Sequence, residues 1–182
     1  QKALDGEDVQ PVVYDNLIKA VHDALPTMHE YIKVRKQAAG LTEQHMYDVY
    51  VPLVENAEIK LPFEQAYELV IEGLAPLGEG YQNLLRKARA ERWIDVCENE
   101  GKRSGAYSSG VYDTHPYVLL NYQETTNDIF TVAHEMGHAL HSYKSNETQP
   151  YTKADYTIFL AEIASTVNEV LLLKHLYKKS ED

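Results

Sequence analysis

The chain has 182 residues, with 17 Lys and Arg against 28 Asp and Glu and a formal net charge of −11. At roughly 150 residues per domain that length can build one domain with a real core, and an apolar fraction of 44% belongs to a globular chain. No apolar run reaches the ~18 residues of a membrane helix. One cysteine excludes a disulfide scaffold and fits a reducing, cytoplasmic setting, and the acidic balance argues against nucleic acid as a partner.

The first six to ten residues are polar and read as a loose lead-in. From Pro11 onward, Val13, Leu17, Ile18 and Val21 recur at helical spacing. Pro26 reads as the start of a second helix over 28–38, stopped by Gly40. Residues 48–54 read as extended or irregular. A helix is predicted over 63–73 behind Pro62, and another from Pro76 through Leu84, Leu85 and Ala88 to about Arg92. At Gly101 the character changes. Residues 101–110 are rich in Gly and Ser, residues 117–122 are the best strand candidate, and the two segments are predicted to form a small antiparallel sheet. Two strong helices follow, about 126–145 and 155–178, separated by Pro150. The order predicts a single, mainly α unit with a small β element. Fourteen Tyr against three Phe point to polar crevices, since a buried phenol seeks a hydrogen-bond partner.

The motif that stands out is His134-Glu135-Met136-Gly137-His138. Histidines four apart on a helix lie on one face and can share one metal ion, and the glutamate between them can reach a water at that metal. Thr125 and Asp128 form a capping-box start for this helix. At about 100° per residue, Ile129, Ala133, Met136, Leu140 and Tyr143 share one apolar stripe. His134, His138 and His141 fall on nearly the opposite side, so the helix is expected to pack by one face and line a cleft with the other.

A catalytic zinc site wants three protein ligands and an open position. The next helix carries Glu162, Ser165 and Glu169 at i, i+3 and i+7, with Ile163, Val167, Val170 and Leu171 on the other side. Ile158, Leu173 and Leu176 accompany the carboxylates, so that face too is expected to be buried. A buried carboxylate needs a cation or donors, which makes Glu162 the third ligand and Glu169 a partner for a histidine N–H. The competing reading makes both carboxylates interhelical ion-pair residues. Asp155 reads as a cap for that helix. Zinc in such a site acidifies water, and Glu135 is placed to take the proton and later hand it to the leaving amine of a peptide. The segment from Gly105 to Ser109 could offer a strand edge to an extended peptide.

Five segments together resemble the oligoendopeptidase F branch of the thimet oligopeptidase family of zinc peptidases. They are Tyr14-Asp-Asn-Leu, Met46-Tyr-Asp48, the run from Gly101 to Gly110, His134-Glu-Met-Gly-His-Ala-Leu-His141, and Phe159-Leu-Ala-Glu162. The resemblance implies one Zn2+ held by His134, His138 and Glu162, and Glu135 as catalytic base. It also implies a largely helical fold whose channel admits short unstructured peptides, and a mostly intracellular setting. Members carry a His- and Tyr-rich segment beyond the third ligand and a longer N-terminal wall. The chain is therefore expected to be a partial catalytic domain, with 1–100 as helical wall and 101–182 as the zinc-site region. The function expected is a zinc metalloendopeptidase of short oligopeptides. The rival readings are a related zinc carboxypeptidase and a zinc-stabilised, non-catalytic binding module.

The remaining candidates read as structural. His141 is expected to support the metal ligands, and His22, His29, His45, His115 and His175 lack ligand spacing. Lys102 and Arg103 read as solvated loop charges, and Cys97 as a small buried side chain. Tyr107 and Tyr112 fall in the segment expected on the substrate side.

Overall fold

The computed structural model describes residue 6, residues 8–53 and residues 59–181. They divide into two compact units, Gln1–Ala57 and Glu58–Asp182.

The first unit is built on α1, Pro11–Ala38. Two helices meeting at Pro26 were expected, but one continuous helix forms with Pro26 inside it. Proline there removes one internal hydrogen bond, while the apolar register runs through it from Leu17 and Val21 to Met28 and Tyr31. A 28-residue helix tolerates the loss of one bond. Gly40 does stop it. At φ +65° the chain turns so that the Gly40 and Leu41 N–H groups donate back to Gln37 and Lys36, both at 3.1 Å. Arg35 then donates to the carbonyls of Val49 and Val51 at 2.9 and 2.7 Å. That holds a 3-10 turn, Met46–Tyr50, followed by irregular chain over 51–53; residues 48–54 were expected to be extended or irregular, and residue 54 lies outside the described residues.

The second unit starts with α2, Phe63–Gly73, which buries Ala66, Tyr67, Val70 and Ile71. The helix expected from Pro76 begins later. A short 3-10 turn, Ala75–Leu77, ends at Gly78 with φ +88°, and α3 runs Glu79–Ala90. Three short strands follow: β1 Ile94–Asp95, β2 Tyr107–Ser109 and β3 Tyr117–Leu119. Their order is β1-β3-β2. The β2–β3 pair is antiparallel as expected, with Ser108 opposite Val118. The sheet is nonetheless mixed, because β1 pairs parallel with β3; a two-residue strand leaves no alternation to read. Lys102 is not a solvated charge. Its side chain is 3% exposed and its ammonium donates to the carbonyls of Asp95 and Cys97 at 3.2 and 2.7 Å. Cys97 itself is exposed, not buried.

Two long helices complete the unit, α4 Thr126–Thr148 and α5 Ile158–Glu181. The Thr125–Asp128 capping box forms, with Asp128 N–H to Thr125 Oγ1 at 3.1 Å and Thr125 N–H to Asp128 Oδ2 at 3.0 Å. The α5 helix begins three residues later than expected, and the Thr157 carbonyl accepts from Leu160 and Ala161. Just ahead of it, the Asp155 carboxylate takes the Tyr156 N–H.

The α4 stripe buries as predicted. Ile129, Ala133, Met136 and Leu140 join Tyr67, Ile71, Leu85, Trp93, Val118 and Leu172 in one core, each large member contributing about 1.5–3 kcal/mol by leaving water. On α5 the expectation holds only for Leu171 and Leu176, which pack half-buried against the core. Ile163, Val167, Val170 and Leu173 are exposed, and the residues turned inward are Ala161, Ser165, Asn168 and Leu172. Small and hydrogen-bonding side chains let α5 approach α4 closely, which bulky β-branched residues would prevent. Several tyrosines behave as their number suggested: Tyr67 donates to the Leu85 carbonyl and Tyr122 to that of Leu61. The architecture is mainly α with a small mixed sheet.

Candidate metal centre

The approach of α4 and α5 decides the site. They approach closely at Gly137, between the two motif histidines, where an added Cβ would lie 2.6 Å from the Ser165 Cα and 2.9 Å from the Ala164 carbonyl oxygen. Glycine is required here by space, not by backbone angle. This crossing sets Glu162 and Glu169, one turn to either side of Ser165, against the histidine face of α4.

His134 and His138 stand one turn apart with ring centroids at 4.7 Å. Their Nε2 atoms are 3.1 Å apart, and Glu162 Oε2 is 3.4 Å from each. Among the described residues these three form the group able to hold a metal ion. The donor set fits zinc. Ligands at ~2.0–2.1 Å in a tetrahedral site are separated by about 3.3 Å, close to all three distances. The chemistry agrees as well. His134 donates Nδ1–H to Glu169 at 2.5 Å, which in the neutral ring leaves Nε2 as a bare lone pair. Two imidazole nitrogens and a carboxylate oxygen converging in this way call for a cation.

Glu135, on the same turn, is buried. Burial holds its carboxyl above the usual carboxylate range, partly opposed by His134 and by the N–H of Ser108 in β2, while Glu162 raises it further. Burial also depresses the His138 imidazole, against the pull of Glu162 and a bond to the Ala161 backbone. The neutral ring it favours is the form a metal binds. Ala106, Phe130, Thr131, His134, Glu135 and Glu169 line an open cleft at this point. The β2 strand forms the sheet edge beside it, with Tyr107 exposed.

One expectation about the site needs correcting. The carboxylate face of α5 is not buried within this chain, since the Glu162 side chain is 55% exposed. Asp155 stays outside the cluster. His141 lies flat on Tyr156, ring centroids 3.8 Å apart, and burial depresses its imidazole. His115 stacks on Trp93, and Tyr112 donates to the Gln149 carbonyl. Asn168 was missed. It is buried and donates to the Ala133 carbonyl at 2.9 Å, beside His134. Its position three residues after Ser165 was the available signal.

Comparisons with known proteins agree with this geometry. The model of Peptidase family M3 matches residues 1–182. Oligopeptidase PepF of Bacillus subtilis is 47% identical over 182 residues, all of this chain and 27% of that protein. An oligoendopeptidase F homolog of Lactococcus lactis is 50% identical over the same length, 30% of that protein. The chain thus spans less than a third of these relatives. A peptidase crystal structure from Chlamydophila abortus superposes with TM-score 0.84 at 45% identity, covering 98% of this chain and 30% of that one. With a family match along its whole length, the chain belongs to peptidase family M3.

Proposed function

We propose that this chain carries the catalytic core of a zinc-dependent metalloendopeptidase that hydrolyses internal bonds of short peptides. The observation that supports it most directly is the convergence of His134 Nε2, His138 Nε2 and Glu162 Oε2 at tetrahedral-edge distances, with Glu135 on the intervening turn. His134, His138 and Glu162 would hold one zinc ion. When bound, zinc supplies a Lewis acid that acidifies water and polarises the scissile carbonyl.

The residues do the rest. Glu169 fixes the His134 ring and tautomer through Nδ1. Glu135 has a carboxyl raised by burial, so it can accept a proton from the attacking water and release it to the leaving amine. The Ser108 N–H of the edge strand β2 favours the charged form of that carboxyl. An extended peptide laid along this edge would bring its backbone close to Glu135. The relatives' names, oligopeptidase and oligoendopeptidase, favour cleavage within short peptides.

The test is to incubate the whole protein with a defined peptide of about ten residues, with and without a zinc chelator, and to map the products. Chelator-sensitive cuts inside the peptide are expected. Removal of the terminal residue alone would favour a carboxypeptidase, and zinc binding without cleavage would favour a binding module.

A further inference from the structure

Glu162 is the weak point of the cluster. Its side chain is half exposed on a helix surface and has three rotatable bonds, so its carboxylate needs something to aim it. Ser165 supplies that. Its hydroxyl lies 2.8 Å from Glu162 Oε2, the same oxygen that stands 3.4 Å from both histidine nitrogens. The hydroxyl also lies 3.1 Å from the Glu162 backbone carbonyl, the usual acceptor for a serine inside a helix. One O–H donates to one acceptor at a time. The carboxylate oxygen is the nearer and the charged acceptor, and the carbonyl already receives the Thr166 hydroxyl at 2.5 Å, so the Ser165 proton goes to the carboxylate.

The anchor itself is fixed. Ser165 is fully buried, and its backbone is the point at which α5 touches α4, against Gly137. A group held rigidly to the histidine helix therefore grips the one ligand that comes from the other helix.

We propose that Ser165 is the positioning residue of the metal centre, holding Glu162 Oε2 toward His134 and His138. The inference rests on the metal-binding role of those three residues. Ser165→Ala leaves no buried group without a partner, and alanine is the better helix former, so the fold is expected to survive unchanged.

The experiment measures zinc affinity of the whole protein by chelator competition, the absorption bands of its Co2+ form, and thermal melting without metal. In Ser165→Ala, zinc binds about tenfold more weakly and the Co2+ bands change, while metal-free melting stays as in the parent. In a Glu162→Ala background the same substitution produces no further loss of affinity. Equal affinity in Ser165→Ala and the parent overturns the positioning role, as does an equal loss in both backgrounds. A parent protein that takes up no zinc instead overturns the metal centre on which the role rests.

Discussion

A Cβ placed on Gly137 would stand 2.6 Å from the Cα of Ser165, so α4 and α5 meet backbone to backbone between the histidines of one and the carboxylates of the other. Gly137→Ala therefore sets two effects against each other. Alanine gains about 1 kcal/mol of helix propensity, and overpacking costs about 1–3 kcal/mol. The clash is with backbone, which no side-chain rotation relieves, so the cost wins. The variant is expected to melt earlier and to bind zinc more weakly; a melt equal to or above the parent's contradicts the close crossing.

The short bond from His134 Nδ1 to Glu169 carries a second prediction. Glu169→Ala removes the acceptor that fixes the ring and its tautomer. Zinc affinity is expected to fall about 10–100-fold, measured by chelator competition. The half-exposed position of Glu169 keeps the effect on folding small, so the metal-free melt is expected to move little.

Asn168 should show the opposite balance. It is buried, bonds the Ala133 carbonyl, and exchanges hydrogen bonds with the Tyr81 hydroxyl. Asn168→Leu leaves those groups without a partner and is expected to cost about 1–3 kcal/mol in denaturant unfolding. Tyr81→Phe removes one member of the network and is expected to cost about 1 kcal/mol.

Alkaline stability follows from buried tyrosines, Tyr81 among them. Burial raises the Tyr67 phenol well above its usual range, and burial with Asp128 and Glu124 nearby pushes Tyr122 up to about 12. Folding thus favours the protonated phenols. Their contribution is whole below the ordinary phenol value of about 10 and is lost as pH rises through the raised ones. Thermal melts across that window are expected to fall with pH in the parent and less steeply in Tyr122→Phe. Parallel profiles contradict the assignment.

The site was more legible in the sequence than its surroundings. The His134–His138 spacing and the position of Glu162 and Glu169 on one helical face carried the cluster, because helical periodicity alone places them. The α4 stripe was readable for the same reason, its apolar residues lying on one side only. On α5 both sides are apolar, so periodicity could not tell which one meets α4. The answer lay in Ala161, Ser165 and Asn168, whose small size and hydrogen bonds matter only once the Gly137 contact is known. Pro26 misled because a proline that starts one helix and a proline carried inside a longer one give the same local signal. The two-residue pairing of β1 with β3 and the burial of Lys102 depend on chain brought together from a distance, which local pattern does not carry.

The most direct measurement compares Glu135→Gln with the parent protein for bound zinc and for cleavage of a short peptide. Glutamine keeps the shape and loses the base. Zinc is expected to stay near one per chain while hydrolysis falls by about 10²-fold or more. Cleavage at the parent's rate in Glu135→Gln would contradict the role given to Glu135, and zinc in neither protein would contradict the metal centre.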